Sequence, residues 1–171
     1  MPRPALHKES IVRAAVALFR RRGYSATGLN EIVDASGAPK GSLYYYFTKG
    51  KPSIAEAAVN EAGARQMATV RKLAEAAVSA SDLLQSHARL LSGWMSKSGY
   101  RDGCPMTTVL LELAPTDRAV TKAGRDAYAD RIAVIKEKLI DDGFPADRAE
   151  TLALLCTSAM QGALIQSRIS R

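Results

Sequence analysis

Apolar residues recur every three to four positions along most of the chain, which is the spacing of amphipathic helices. No segment of useful length alternates between apolar and polar residues as a strand would, and no internal repeat is visible. The first helix is predicted to stop at Gly23, a common helix terminator. Its apolar face consists of Ile11, Ala14, Ala15, Leu18 and Phe19. The pattern predicts an all-α protein.

Two short helices are predicted after the first. Thr27 is placed as the N-cap of the second helix, which Gly37 closes about two turns later. The third helix starts near Pro39, and Leu43 and Phe47 form its inward stripe. Two short helices joined by a tight turn and packed on a longer one are typical of a helix-turn-helix domain.

The remaining residues predict five more helical segments. Pro52 suits the first turn of a long fourth helix, so we place a domain boundary there, with the helix-turn-helix domain at 1–51 and a second helical domain at 52–171. The later segments are predicted at 82–98, 105–114, 117–141 and 146–169.

The stretch GSLYYYFTKGK places three consecutive tyrosines on the third helix. Successive helical residues point about 100° apart, so the three rings cannot all face one core. With Leu43 and Phe47 facing inward, Tyr45 and Tyr46 are predicted on the exposed side and Tyr44 at its edge. An exposed tyrosine offers a ring to a thymine methyl and a hydroxyl to a phosphate.

Positive charge is concentrated in the same third of the chain. Of the net charge of +7, residues 1–51 carry +6, from nine lysines and arginines against three acidic residues. The other 120 residues carry fifteen basic and fourteen acidic side chains. Lys40, Lys49 and Lys51 flank the third helix. A charge confined to one segment indicates a polyanionic partner, and we favour DNA over the alternative of ordinary solvated lysines and tyrosines that cover a neighbouring helix.

Residues 10–56 resemble the N-terminal DNA-binding domain of TetR-family transcriptional regulators. The resemblance lies in the hydrophobic spacing, the Gly-Tyr turn, the threonine, the KGSLYYYF helix and the following lysine. It implies phosphate contacts by Tyr44 and Lys51 and contributions from Thr27 and Asn30 at the start of the second helix. Residues near base edges or backbone would be Lys40, Gly41, Tyr45 and Tyr46. Arg3 and Lys8, in an N-terminal arm, would add non-specific affinity or remain solvated.

The segment DGCPMTTVLLELAPTDRAVTKAGRDAYADRI and the later QGAL are similar to the LmrA/YxaF-like branch of that family. The family implies a ligand-responsive repressor that binds double-stranded operator DNA and is released by a small hydrophobic or aromatic effector. The last two helices would form a homodimer through the small residues Ala159, Gly162 and Ala163. Candidate pocket residues, each also compatible with simple core packing, are Trp94, Met95, Tyr100, Met106, Leu110, Met160 and Gln161.

Other classes of protein fit the sequence less well. It has no metal-ligand spacing, no nucleophile-base motif and no phosphate-binding glycine loop, so we expect neither a cofactor nor an enzyme. The enzyme alternative rests on Cys104 at a helix start, where a thiolate can be stabilised. A helical interaction protein that does not bind DNA is the other alternative. We find no membrane-spanning run and no secretory signal, and expect a cytoplasmic protein.

Overall fold

The computed structural model describes residues 4–170, and all regular secondary structure in that range is helical. The predicted all-α class is therefore confirmed. The described helices are α1 (Pro4–Arg22), α2 (Leu29–Ser36), α3 (Lys40–Tyr46), α4 (Lys51–Ala76), α5 (Ala80–Lys97), α6 (Pro105–Leu113), α7 (Arg118–Asp141) and α8 (Ala146–Ser167). None of these helices is long and apolar enough to cross a membrane.

The helices form two compact units that differ from a simple division of the sequence. The first contains the residues up to Gly63 together with Cys104–Arg125, and the second contains Ala64–Gly103 and the residues from Asp126 onward. Helices α4 and α7 each start in the first unit and end in the second. The domain boundary between residues 51 and 52 stays a prediction.

In the first unit, α1 packs against α2, α3 and α6. The spacing that predicted these helices also fills this core, because Ile11, Phe19, Ile32 and Leu43 are fully buried. Burial of such a side chain contributes about 2 kcal/mol to folding. The core holds α2 and α3 against α1 and so fixes which face of α3 is exposed.

The second unit contains the end of α4, all of α5, the end of α7 and all of α8. Its buried apolar cluster is rich in alanine, and small side chains let helices approach closely, as α5 and α8 do here. The backbone N–H of Ala80 donates to Asp142 Oδ2 at 2.7 Å, which ties the start of α5 to the end of α7. The cluster consists of Ala77, Ala80, Leu83, Ile135, Leu139, Ala149 and Ala153.

Candidate nucleic-acid interface

The N-cap of helix α2 is a glycine, one residue after the threonine that the sequence indicated. Gly28 is the N-cap, and its backbone N–H donates to Glu31 Oε2 at 2.8 Å. Thr27 is fully buried, and its hydroxyl donates to the Gly23 carbonyl at 2.8 Å. The prediction of Thr27 as N-cap is wrong. Gly28 takes the N-cap position, and the Glu31 side chain, three residues later, accepts the hydrogen bond from its backbone N–H. The Thr27 side chain has no surface left for DNA.

Helix α3 faces outward with a different pair of tyrosines from the predicted one. Leu43 and Phe47 are buried as expected, whereas Tyr44 is 53% and Tyr45 75% exposed. Tyr46 is partly buried and packs edge-on against Tyr45, with ring centroids 4.9 Å apart. The predicted exposure of Tyr45 is confirmed, and Tyr44 and Tyr46 exchange the positions expected for them.

The other residues predicted to contact DNA differ in exposure and in the element that holds them. Asn30 on α2 and Lys40 and Gly41 at the start of α3 are exposed. Lys8 lies inside α1 and so does not belong to an arm, and Arg3 lies outside the described residues. The exposed set therefore combines the Asn30 amide and the Lys40 ammonium with two aromatic rings. Proteins that bind the major groove use such groups for phosphate and base contacts.

The turn between α1 and α2 is held by a carboxylate from a distant helix. Glu112 on α6 accepts from the backbone N–H of Tyr24 at 2.6 Å and of Ser25 at 2.8 Å. Gly23 opens this turn with φ +84°, and a Cβ there would lie 2.5 Å from Glu112 Oε1. Glycine adopts this φ without strain and leaves the Glu112 carboxylate in place, whereas a Cβ would require the end of that side chain to shift. The turn that leads into α2 is thus fixed by α6.

Lys51, predicted to contact a phosphate, is already engaged within the protein. Its ammonium lies 4.2 Å from the centroid of the Tyr24 ring, and it donates to the Ser25 carbonyl at 3.3 Å. The interaction joins the start of α4 to the same turn that Glu112 holds. An ammonium has three N–H donors, so one hydrogen bond leaves capacity for a phosphate. The predicted phosphate contact stays a prediction.

The charges around this turn compensate each other. Desolvation lowers the pKa of Lys51, and the carboxylates of Glu112 and Glu31 oppose that shift. Partial burial raises the pKa of Glu112, but the hydrogen bonds from Ser25 and Tyr24 outweigh it, and the net pKa is lowered. The hydrogen bond from the Gly28 amide and the ion pair with Arg22 also lower the pKa of Glu31. These groups are all ionised near neutral pH.

The predicted effector and dimer residues occupy separate places. Of the pocket candidates, Met106 and Leu110 belong to the first unit, and the other five belong to the second. Met95 and Met106 are buried, and Trp94 is exposed. The dimer candidates lie on α8, where Ala159 and Ala163 are exposed and Gly162 is partly buried. Both assignments stay predictions.

Sequence reasoning missed Glu112 and a group of buried polar residues in the second unit. Glu112 is 88 residues from Tyr24, so no local pattern connects them. Arg131 lies four residues before the buried Ile135 and eight before Leu139, on the apolar stripe of α7. That register is a sequence signal for Arg131, but by itself it does not predict burial, because a long arginine stem can reach solvent from an apolar stripe. His87 occupies a similar position, four residues after the buried Leu83 on α5.

Two family models match this chain. Residues 11–58 match the model for bacterial regulatory proteins of the tetR family, and residues 80–171 match the C-terminal domain of LmrA/YxaF-like transcriptional regulators. The HTH-type transcriptional regulator LmrA of Bacillus subtilis is 32% identical over 160 residues, which cover 94% of this chain and 85% of LmrA. YxaF of the same organism is 29% identical, with 94% and 84% covered.

Solved structures share the fold at lower identity. A TetR transcriptional regulator from Legionella pneumophila superposes with a TM-score of 0.81 at 19% identity, over 95% of this chain and 87% of that one. A cysteine mutant of CifR, solved with a 26-base-pair operator duplex, gives 0.78 at 21% identity, over 95% and 87%. The chain therefore belongs to the TetR family of transcriptional regulators and carries its N-terminal DNA-binding domain together with a C-terminal domain of the LmrA/YxaF-like type.

Proposed function

We propose that this protein is a homodimeric repressor that binds a specific operator through α3 and leaves it when a small molecule binds the second unit. The observation that carries the proposal is the outward face of α3, where Tyr44 and Tyr45 project beside the exposed Lys40. Exposed aromatic rings cost solvation free energy unless a partner covers them, and a basic flank selects an anionic partner. Duplex DNA supplies both contacts.

Each residue has a separate share in the proposed contact. Tyr45, the most exposed ring, would meet base edges, and Tyr44 and Lys40 would meet phosphates. Asn30 on α2 and Gly41 on α3 are also exposed and would add contacts to the DNA. Tyr46 would act mainly by holding the Tyr45 ring edge-on, and Lys51 by fixing the turn before α2 and by a further phosphate contact. We leave Thr27 out because its side chain is buried.

The outer face of α8 supports the homodimer. Leu154, Leu155 and Ile165 are each more than half exposed, and Ala159 and Ala163 are exposed between them. Large apolar side chains on one face of a helix favour burial against a partner, and small ones between them allow close helix packing. Two copies joined in this way would present two α3 helices to a pseudo-palindromic operator.

Helix α4 is the proposed connection between ligand and DNA. It begins at Lys51, which is bound to the turn before α2, and it ends in the second unit. Two conformations of the protein would differ in the position of α4, and an effector that binds one of them more tightly would shift the population toward that conformation. A several-hundredfold loss of operator affinity needs about 3 to 4 kcal/mol of such coupling. An equal binder of both states would leave DNA binding unchanged.

The test is a gel-shift titration with DNA from upstream of the protein's own gene, against a scrambled duplex of the same length. We expect saturable binding that survives the scrambled competitor. Lys40→Ala should weaken binding to both duplexes and lower the salt slope by about one, whereas the exposed Lys72→Ala on α4 should change neither. If the duplex most enriched in a random-sequence selection bound no better than the scrambled duplex, the proposed function would be wrong.

A further inference from the structure

The interior of the second unit changes from apolar to polar within one helical turn. Each of its four helices carries a buried apolar residue and, four positions away, a polar residue on the same face. The apolar and polar pairs are Val70 with Gln66 on α4, Leu83 with His87 on α5, Ile135 with Arg131 on α7 and Ala153 with Thr157 on α8. We call the second members, Gln66, His87, Arg131 and Thr157, the polar layer.

Arg131 is the only charged member of this layer and is almost completely buried, with 6% of its surface exposed. Its Nη1 donates to Gln66 Oε1 at 3.1 Å, and its guanidinium carbon lies 4.7 Å from the centroid of the Tyr128 ring. Within residues 4–170, neither Nε nor Nη2 has a hydrogen-bond acceptor, although both are buried. A buried guanidinium without a carboxylate is costly, so a residue in this state calls for a partner.

The two unpartnered nitrogens define the shape of that partner. Nε–H and Nη2–H lie on one edge of the planar guanidinium and point in parallel, which is the fork that binds both oxygens of a carboxylate. The hydrogen bond from Nη1 to Gln66 holds the opposite edge and fixes the plane. A point-like anion satisfies one donor well, whereas a carboxylate satisfies both.

The other members of the layer are neutral and complement such a ligand. Burial, and secondarily the charge of Arg131, lower the pKa of His87 to about 4, so its imidazole is neutral at pH 7. It therefore adds no second positive charge beside Arg131 but can donate or accept a hydrogen bond. The Thr157 hydroxyl is buried and has no partner within the described residues. The adjoining residues Leu83 and Ile135 are fully apolar, which suits a ligand with an apolar body.

We propose that Arg131 is the anchor of an effector site in the second unit and that the effector is a small organic acid, with its carboxylate on Nε and Nη2 and its apolar part on the neighbouring core. The inference rests on the proposed function, since it names the chemical class of the molecule that would release the operator. Tyr128, whose ring lies against the guanidinium, completes the site.

The test compares acids with their own amides. The melting temperature is measured at pH 7 and constant ionic strength with 10 mM benzoate, phenylacetate, cinnamate or butyrate, or with the corresponding neutral amide. We expect at least one acid to raise the melting temperature of the native protein by about 2 °C or more, and its amide to raise it far less. Arg131→Met should abolish the difference, and Arg131→Lys should reduce it. The matched control Arg71→Met, at an exposed arginine of the same unit, should keep it.

A second readout needs no ligand. If Arg131 is held for a ligand, Arg131→Met should melt at or above the temperature of the native protein, because it removes an uncompensated buried charge. If Arg131 is a structural residue, the variant should melt several degrees lower. The proposal is overturned if the variant melts lower and no acid exceeds its amide. It is also overturned if sodium sulfate at equal ionic strength stabilises the native protein as much as every acid does.

Operator binding separates this inference from the proposed function. Arg131→Met without acid should bind the operator as the native protein does, and an active acid should weaken operator binding of the native protein only. If the acids stabilise through Arg131 but the protein binds no DNA, the site stands and the function fails. If DNA binding is intact but the acids act equally on native protein and Arg131→Met, the site fails alone.

Discussion

Lys51 in the first unit and Arg131 in the second are similar in one respect and opposite in another. Each places its cation over a tyrosine ring, Lys51 at 4.2 Å from Tyr24 and Arg131 at 4.7 Å from Tyr128. The carboxylates of Glu112 and Glu31 partly offset the desolvation of Lys51, whereas two nitrogens of Arg131 are buried with no acceptor among residues 4–170.

We infer from this difference that Lys51 stabilises the fold and that Arg131 binds a ligand. A compensated cation lowers the free energy of its own fold, so its removal should destabilise the protein. An uncompensated buried cation raises that free energy, so it is retained for something other than stability.

Gly23→Ala should have the largest effect. A Cβ at φ +84° is strained and would also push Glu112 away from the turn, so both the backbone and the carboxylate clamp are affected. We expect a loss of about 3 kcal/mol in the free energy of unfolding, measured by urea denaturation at fixed protein concentration. Gly37→Ala is the control, since its φ is +65° but no atom of the described part of the chain lies within 4 Å of the added Cβ, and it should cost about 1 kcal/mol. Equal losses would mean that the clamp contributes nothing.

Acidification should destabilise the second unit through His87. Its pKa is about 4 in the folded protein and about 6.5 when unfolded, so between these pH values the unfolded chain binds a proton that the folded chain does not. The stability that depends on His87 is therefore present above pH 6.5 and lost as the pH falls toward 4, by up to about 3 kcal/mol.

The measurement for His87 is the difference in unfolding free energy between the native protein and His87→Gln, taken at pH 7, 6, 5 and 4. The difference should shift against the native protein as the pH falls, because glutamine does not titrate. Saturation with an active acid should reduce the shift, since an anion beside Arg131 offsets the second positive charge. A difference that stays constant with pH would show that His87 is not shielded from protonation.

Glu112→Ala should leave two backbone donors of the first unit without their acceptor, as two nitrogens of Arg131 lack one among residues 4–170. The amides of Tyr24 and Ser25 lose their acceptor, and Lys51 loses a nearby carboxylate. We expect a loss of about 2 kcal/mol in unfolding free energy, and about half of that for Glu112→Gln, which keeps one carbonyl oxygen. If the glutamine variant were less stable than the alanine variant, the hydrogen bonds would not be the source of the effect.

Lys51→Met should have the smallest effect, about 1 kcal/mol, through the loss of the ring contact and of the hydrogen bond to Ser25. The comparison with Arg131→Met is informative because the two substitutions are chemically alike. Lysine removal should lower the melting temperature, and arginine removal should not. If Arg131→Met lowered the melting temperature and Lys51→Met left it unchanged or raised it, the roles assigned to the two cations would be reversed.

The local structure of the first unit could be predicted from sequence, and its long-range contacts could not. Helical spacing and the three-tyrosine segment were enough to predict α1, α3 and the exposed Tyr45, because they depend on residues a few positions apart. The exchange of Tyr44 and Tyr46 was missed because the buried stripe fixes only the rough direction of each ring. The clamp by Glu112 requires the packing of α6 on α1, which no local pattern contains.

The polar layer of the second unit was missed for a related reason. Arginine on an otherwise apolar stripe more often reaches solvent through its flexible stem, so its register alone does not predict burial. Burial of Arg131 and His87 depends on how the helices of the second unit align, which no local pattern contains. The N-cap of α2 was mispredicted from local sequence, because Thr27 is a favourable N-cap residue but the adjacent Gly28 occupies that position.

We propose that the exposed face of α3 reads a DNA sequence. A fluorescence-anisotropy titration of the native protein and of Tyr45→Ala against operator and scrambled duplexes tests this role. We predict that the native protein prefers the operator, and that Tyr45→Ala loses about tenfold or more of that preference while its binding to the scrambled duplex is nearly unchanged. An equal loss on both duplexes, or no loss on either, would contradict the assignment of Tyr45 to base recognition.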